Sequence, residues 1–221
     1  CRRWGTTEVL LTVSINIMRN KSIDAVVADI EKRVDEIMSD FVDFTDGTRV
    51  LLLLQRLKEG GSTKEHKRRR ARYVTHNIDQ FKSSLFTLLL LQVTSKIDYR
   101  IYLSASPRDM KKAEKEFKRL MLDVDFSEGE NKQFFYEHIE DKWISALMSS
   151  NPVSGRALFI LDIDTQDNGP ALKWVAENQV EMVKQYRTKQ GWHMVVKPFN
   201  RTLFPKEIGE VKQDGLLLLA Y

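Results

Sequence analysis

The most constraining feature of this sequence is an apolar run, Ala157 to Ile163, that carries Asp162 and is followed at once by Asp164. Its length and its Phe, Ile and Leu content predict a strand buried on both faces. Alternate residues of a strand share a face, so Asp162 and Asp164 are expected to converge on one spot. Two anions held that close raise each other's pKa unless a cation sits between them. Carboxylate oxygens suit a hard divalent ion, so the pair predicts Mg²⁺ or Mn²⁺ binding. The bland alternative is a strand end that caps the next helix, a task open also to Asp167 and Asn168.

Around this run, helical and strand-like patterns alternate. Glu8 to Met18 reads as a strand, with Val9, Leu11, Val13, Ile15 and Ile17 at alternate positions. Ser22 is the expected cap of a helix from Ile23 to Phe41, whose apolar residues recur at three-to-four spacing. Asp46-Gly47 predicts a turn, and Val50 to Leu54 a buried segment. Asp79 to Gln92 reads as a helix, Tyr99 to Ser104 as a strand, Asp109 to Leu122 and Phe134 to Met148 as helices. Pro170 to Gln185 reads as a helix, and Trp192 to Pro198 and Leu216 to Tyr221 as strands. The class expected is α/β (α+β), with helices packed on a sheet. The division expected is residues 1–76, ending in a basic segment, and residues 77–221.

Composition narrows the function. Apolar residues make up 42% and charged residues 30%, the balance of a globular chain. No apolar run approaches a membrane span, and Cys1 to Thr12 lacks the pattern of a secretory leader. The single cysteine, Cys1, excludes an internal disulfide and a Cys-based zinc site. A cytoplasmic location, in a prokaryotic or phage-infected cell, is expected. Net charge is only +4, but eight basic and two acidic residues lie between Arg56 and His76. Arg68, Arg69, Arg70 and Arg72 are the dense part. Such a cluster suits contact with nucleic-acid phosphates, and a solvated loop is the alternative.

A second candidate element is Arg187-Thr-Lys-Gln-Gly-Trp-His193, placing His193 29 residues beyond Asp164. If its strand runs antiparallel to the Asp-x-Asp strand, His193 lies near the carboxylates. With Arg187, Lys189 and Lys197 it would hold a phosphate chain. Trp192, on the alternate face, is expected to pack away from the site.

The apolar-run Asp-x-Asp of Leu158 to Asp164, followed by Gly191-Trp-His193, resembles motifs one and two of archaeo-eukaryotic primases and primase-polymerases. The resemblance covers Tyr99 to Tyr221. It implies an RRM-like sheet and metal-dependent nucleotidyl transfer on a nucleic-acid template. Asp162 and Asp164 would bind metal, His193, Arg187 and Lys189 would bind the nucleoside triphosphate, and Arg68 to Arg72 would follow the template. A third catalytic carboxylate is implied near the closing strand, with Asp214 preferred over Glu210. The chain departs from the family pattern at Gly191, where Ser or Thr is usual. Three other readings stand beside this one. They are a non-catalytic nucleic-acid- or nucleotide-binding or inhibitor protein of degenerate primase-like fold, a nucleotide-sugar transferase using the Asp-x-Asp, and a haloacid-dehalogenase-like phosphatase. The last lacks the Gly-Thr pair and has too little chain after Asp164.

Overall fold

The computed structural model describes residues 23–55, 69–95, 98–125, 130–149 and 157–221. The strand expected at Glu8 to Met18, the Ser22 cap and Arg68 lie outside the described residues. The architecture is mixed α/β, with two four-stranded sheets. Contacts gather the chain into two units. The first is Cys1–Asp46, Leu51–Leu103 and Leu218–Tyr221, and the second is Gly47–Val50 and Ser104–Leu217. The boundary expected at residue 76 falls inside the first unit. Among the described residues no helix is long and apolar enough to cross a membrane.

In the first unit, helix α1 (Ile23–Phe41) buries Ile30, Val34, Ile37 and Phe41, the stripe its spacing predicts. Strand β1 (Arg49–Gln55) follows the Asp46-Gly47 turn, where Gly47 takes a left-handed φ of 68°. Strand β2 (Arg69–Thr75) lies within the expected basic loop. Helix α2 (Ile78–Thr94) starts with a reciprocal cap: Asn77 accepts the Gln80 N–H and Gln80 accepts the His76 N–H. It buries Phe81, Leu85, Leu88 and Leu89. Strand β3 (Tyr99–Ser104) runs antiparallel to β1 with Leu53 opposite Ile101. Strand β8 (Leu216–Ala220) completes the order β2-β1-β3-β8.

In the second unit, helices α3 (Met110–Asp125), α4 (Glu130–Glu137) and α5 (Ile139–Ser149) pack through Phe117, which stacks on Phe135 and meets Trp143 edge-on. The single helix expected over 134–148 is thus two helices, parted at His138. Strand β4 (Phe159–Ile163) leads to helix α6 (Gly169–Glu177). This helix is shorter than the expected 170–185, because Gln179 takes a left-handed φ of 52° and the Val180 N–H returns to the Val175 carbonyl. The freed residues form strand β5 (Met182–Arg187), which turns into β6 (Trp192–Val196). Strand β7 (Glu210–Gln213) follows a 3-10 turn at Arg201–Leu203.

The second sheet has the order β5-β6-β4-β7, with β6 antiparallel to both β4 and β5. Strands β4 and β5 are therefore parallel, joined through α6, with β6 inserted between them. This is the split β-α-β arrangement of an RRM-like sheet. One face carries Leu161, Ile163, Met194 and Val196 against Ala171, Trp174 and Val175 of α6 and against Phe204. That burial fixes the register, so Asp162 and His193 must point to the other face.

Candidate functional site

Strand pairing, not chain proximity, builds the site. Asp162 on β4 lies opposite His193 on β6 and opposite Glu210 on β7, and Tyr186 on β5 lies opposite His193. Tyr186, His193, Asp162 and Glu210 thus form one row across four strands, sharing the face turned away from α6.

Their polar atoms are joined. His193 Nε2 lies 3.1 Å from Asp162 Oδ1, and the Tyr186 hydroxyl lies 2.8 Å from His193 Nδ1. Lys212 donates its ammonium to Asp162 Oδ2. The His193 hydrogen bond, opposed by burial and helped by Lys212, holds the Asp162 carboxyl down to about 2. Asp162 is therefore ionised at neutral pH and can only accept. His193 Nε2 must then carry a proton, and in the neutral ring Nδ1 accepts from Tyr186. Burial alone would lower the Lys212 ammonium. The Asp162 hydrogen bond and the charges of Asp162, Glu210 and Asp164 outweigh it and raise the group overall.

Asp164 lies one residue beyond β4 and is exposed. It lines a cleft of about 740 Å³ together with Glu210, Thr165, Arg201, Lys206 and Phe204. That volume falls within the range of small-molecule sites. Neither Asp162 nor Asp164 serves as the helix cap. The N-cap is Asn168, and Asp167 just before it accepts the Gly169 N–H at 2.8 Å.

Two glycines let the neighbouring strands close on this segment. A Cβ at Gly191 would overlap the Ile163 carbonyl and lie 3.0 Å from that of Thr165. A Cβ at Gly209 would overlap the Asp162 carbonyl and lie 2.8 Å from Ile163 Cδ1. Gly191 is therefore the residue that this backbone approach requires, and a Ser or Thr there would not fit.

The other expected site residues lie elsewhere. Arg187 is opposite Trp192 and Ile163, one row away and on the alternate face, and donates to Gln166. Trp192 packs toward the α6 core, as expected, and donates to the Gln166 carbonyl. Lys189 is exposed in the β5–β6 turn. Asp214 is not brought to Asp162. Gln213 pairs with Phe159 and Glu210 with Asp162, so Asp214 lies beyond the far end of β7 from Asp162. There it forms an ion pair with the fully buried Arg108 and takes a left-handed φ of 52° in the turn after β7. Burial pushes its carboxyl up, against the pull of Arg108. Glu210 holds the position beside Asp162. Of the basic cluster, Arg69, Arg70 and Arg72 lie on β2 and Arg72 is half-buried.

Sequence reasoning missed Tyr186, Lys212, Arg201 and Lys206. Glu210-Val-Lys212 carried a usable signal, since a strand reading places both charges on one face. Asp162, Asp164 and Glu210 offer the hard oxygen donors that suit Mg²⁺ or Mn²⁺. Among the described residues no three His, Cys, Asp or Glu side chains form a ready metal cage. The chain matches no family model, no curated protein and no solved structure.

Proposed function

We propose that this chain carries out primase-polymerase-like nucleotidyl transfer, acting on a nucleoside triphosphate and a nucleic-acid template. The observation that carries the reading is the row His193–Asp162–Glu210 on adjacent strands, with Glu210 and Asp164 both lining one cleft. In such a reaction a 3′-hydroxyl oxygen bonds to the α-phosphorus, the bond to pyrophosphate breaks, and the hydroxyl proton passes to solvent. Asp162, Asp164 and Glu210 are the residues that would hold Mg²⁺ or Mn²⁺, which when bound neutralises charge on the transferring phosphate. His193, oriented by Tyr186, spends its Nε2–H on Asp162 Oδ1 and so fixes that carboxylate in place on the same face. Arg201 and Lys206 add positive charge to the cleft. The arginines at 68–72 supply sequence-independent affinity for the nucleic-acid backbone.

One observation favours a second reading. The Lys212 ammonium already neutralises Asp162, as expected of a nucleotide- or nucleic-acid-binding protein that has lost catalysis. Primer extension and de novo synthesis with Mn²⁺ or Mg²⁺ separate the two. Nucleotidyl transfer predicts incorporation by the wild type and none by Asp162→Ala/Asp164→Ala, with nucleic-acid affinity retained. No incorporation with either metal, with affinity intact, selects the binding protein.

A further inference from the structure

Both oxygens of Asp162 are taken. Oδ1 accepts from His193 and Oδ2 from Lys212. Lys212 stands on β7 opposite Ile160, two residues from Glu210, and its side chain reaches diagonally across the strand pair to Asp162. Its ammonium is held by the Asp162 carboxylate, and the charges of Glu210 and Asp164 favour it as well. That is the charge environment in which a divalent ion would rest. An inorganic cation cannot share Oδ2 with an ammonium, because like charges at that separation repel strongly. The lysine stem is flexible and its side chain is 43% exposed, so the head can leave without disturbing the strand.

We propose that Lys212 is a tethered counter-ion that occupies Asp162 until a divalent cation displaces it, and that its freed ammonium then binds a phosphate oxygen of the nucleotide. This rests on the reading of the carboxylates as a metal–triphosphate site. The exchange couples the two ligands. Metal alone must expel the ammonium from Asp162 with no added anion to receive it. A bound triphosphate supplies that anion, so each ligand tightens the other by the same factor. Lys212 also keeps Asp162, Asp164 and Glu210 from repelling one another when no metal is present.

The test measures Mn²⁺ binding by water-proton relaxation, with and without an α,β-imido nucleoside triphosphate that cannot be turned over. Wild type, Lys212→Met, Lys212→Gln and Lys212→Arg are compared, each checked for folding by thermal melting. The two neutral variants keep the question open to test if one of them fails to fold. In wild type the nucleotide tightens Mn²⁺ binding about tenfold. The neutral variants bind Mn²⁺ alone about tenfold tighter than wild type and gain little from the nucleotide. Lys212→Arg retains the weak metal-only binding. Unchanged or weaker Mn²⁺ binding in the neutral variants, with normal Mn²⁺–nucleotide binding in wild type, overturns the counter-ion role and leaves the metal reading standing. Mn²⁺ binding in none of the proteins, with or without nucleotide, overturns both.

Discussion

The Tyr186 hydroxyl lies 2.8 Å from Nδ1 of His193, and the two rings meet nearly edge to face at 76°. With Asp162 on the far nitrogen, this contact fixes both the ring orientation and the tautomer. Tyr186→Phe should release the tautomer. Long-range proton–nitrogen correlation spectra of the labelled histidines should show a single Nε2–H form of His193 in wild type. The variant should show a mixture, with a loss of stability of only about 1 kcal/mol. An unchanged His193 signal would mean that Asp162 alone sets the tautomer.

Gly191 and Gly209 flank the end of β4, and each is pressed on a backbone carbonyl of that strand. Backbone cannot swing aside as a side chain can, so Gly191→Ala should cost about 3 kcal/mol, the upper end for overpacking. Gly209→Ala should cost a similar amount. Chemical denaturation of both variants measures this. A midpoint within error of wild type would contradict the close approach.

Asp214 belongs to Arg108, not to Asp162. Arg108→Met strands the half-buried Asp214 carboxyl and should destabilise by about 3–5 kcal/mol. Asp214→Asn tolerates the left-handed turn and should leave Mn²⁺–nucleotide binding unchanged. Glu210→Gln should weaken that binding severalfold while melting near the wild-type temperature. The reverse pattern would restore Asp214 as the third carboxylate.

Asp162 makes stability depend on pH in a stated direction. Its folded pKa, about 2, lies below the ordinary value of 3.8, so the ionised form favours the folded state. The contribution is fully present above about pH 4 and is lost as pH falls through 2. The difference in melting temperature between wild type and Asp162→Asn should shrink as pH falls below about 4. A difference that grows on acidification would contradict the hydrogen-bonded carboxylate.

The sequence carries strong signals where burial is one-sided or complete. The α1 stripe of Ile30, Val34, Ile37 and Phe41 repeats with helical period, and the all-apolar run of β4 admits few other placements. The nearness of Asp162 and His193 was legible because an antiparallel return fixes which strand ends meet. Strand β5, Met-Val-Lys-Gln-Tyr-Arg, was not legible. It is an edge strand with most of its side chains exposed, so neither face imposes a hydrophobic period. Strand β7 has only four residues, too few to show alternation, and its register alone puts Glu210 rather than Asp214 beside Asp162. Strand β2 was hidden because its arginines read as solvated charge.

The arginines at 68–72 test the nucleic-acid partner separately. Replacing Arg68, Arg69, Arg70 and Arg72 with Ala should flatten the dependence of log K on log salt. The slope should fall by about 0.7 for each lost phosphate contact on single strands. An unchanged slope and affinity would make the segment a solvated strand and remove nucleic acid from the account.

Joint binding of a divalent metal and a triphosphate at the Asp162 face, as proposed, can be measured in one experiment. Equilibrium binding of a labelled nucleoside triphosphate, with and without Mn²⁺, to wild type and to Asp162→Asn/Asp164→Asn tests it directly. Mn²⁺ should tighten nucleotide binding about tenfold in wild type and have no effect in the double variant. Nucleotide affinity indifferent to Mn²⁺ in wild type, or equally enhanced in both proteins, would contradict it.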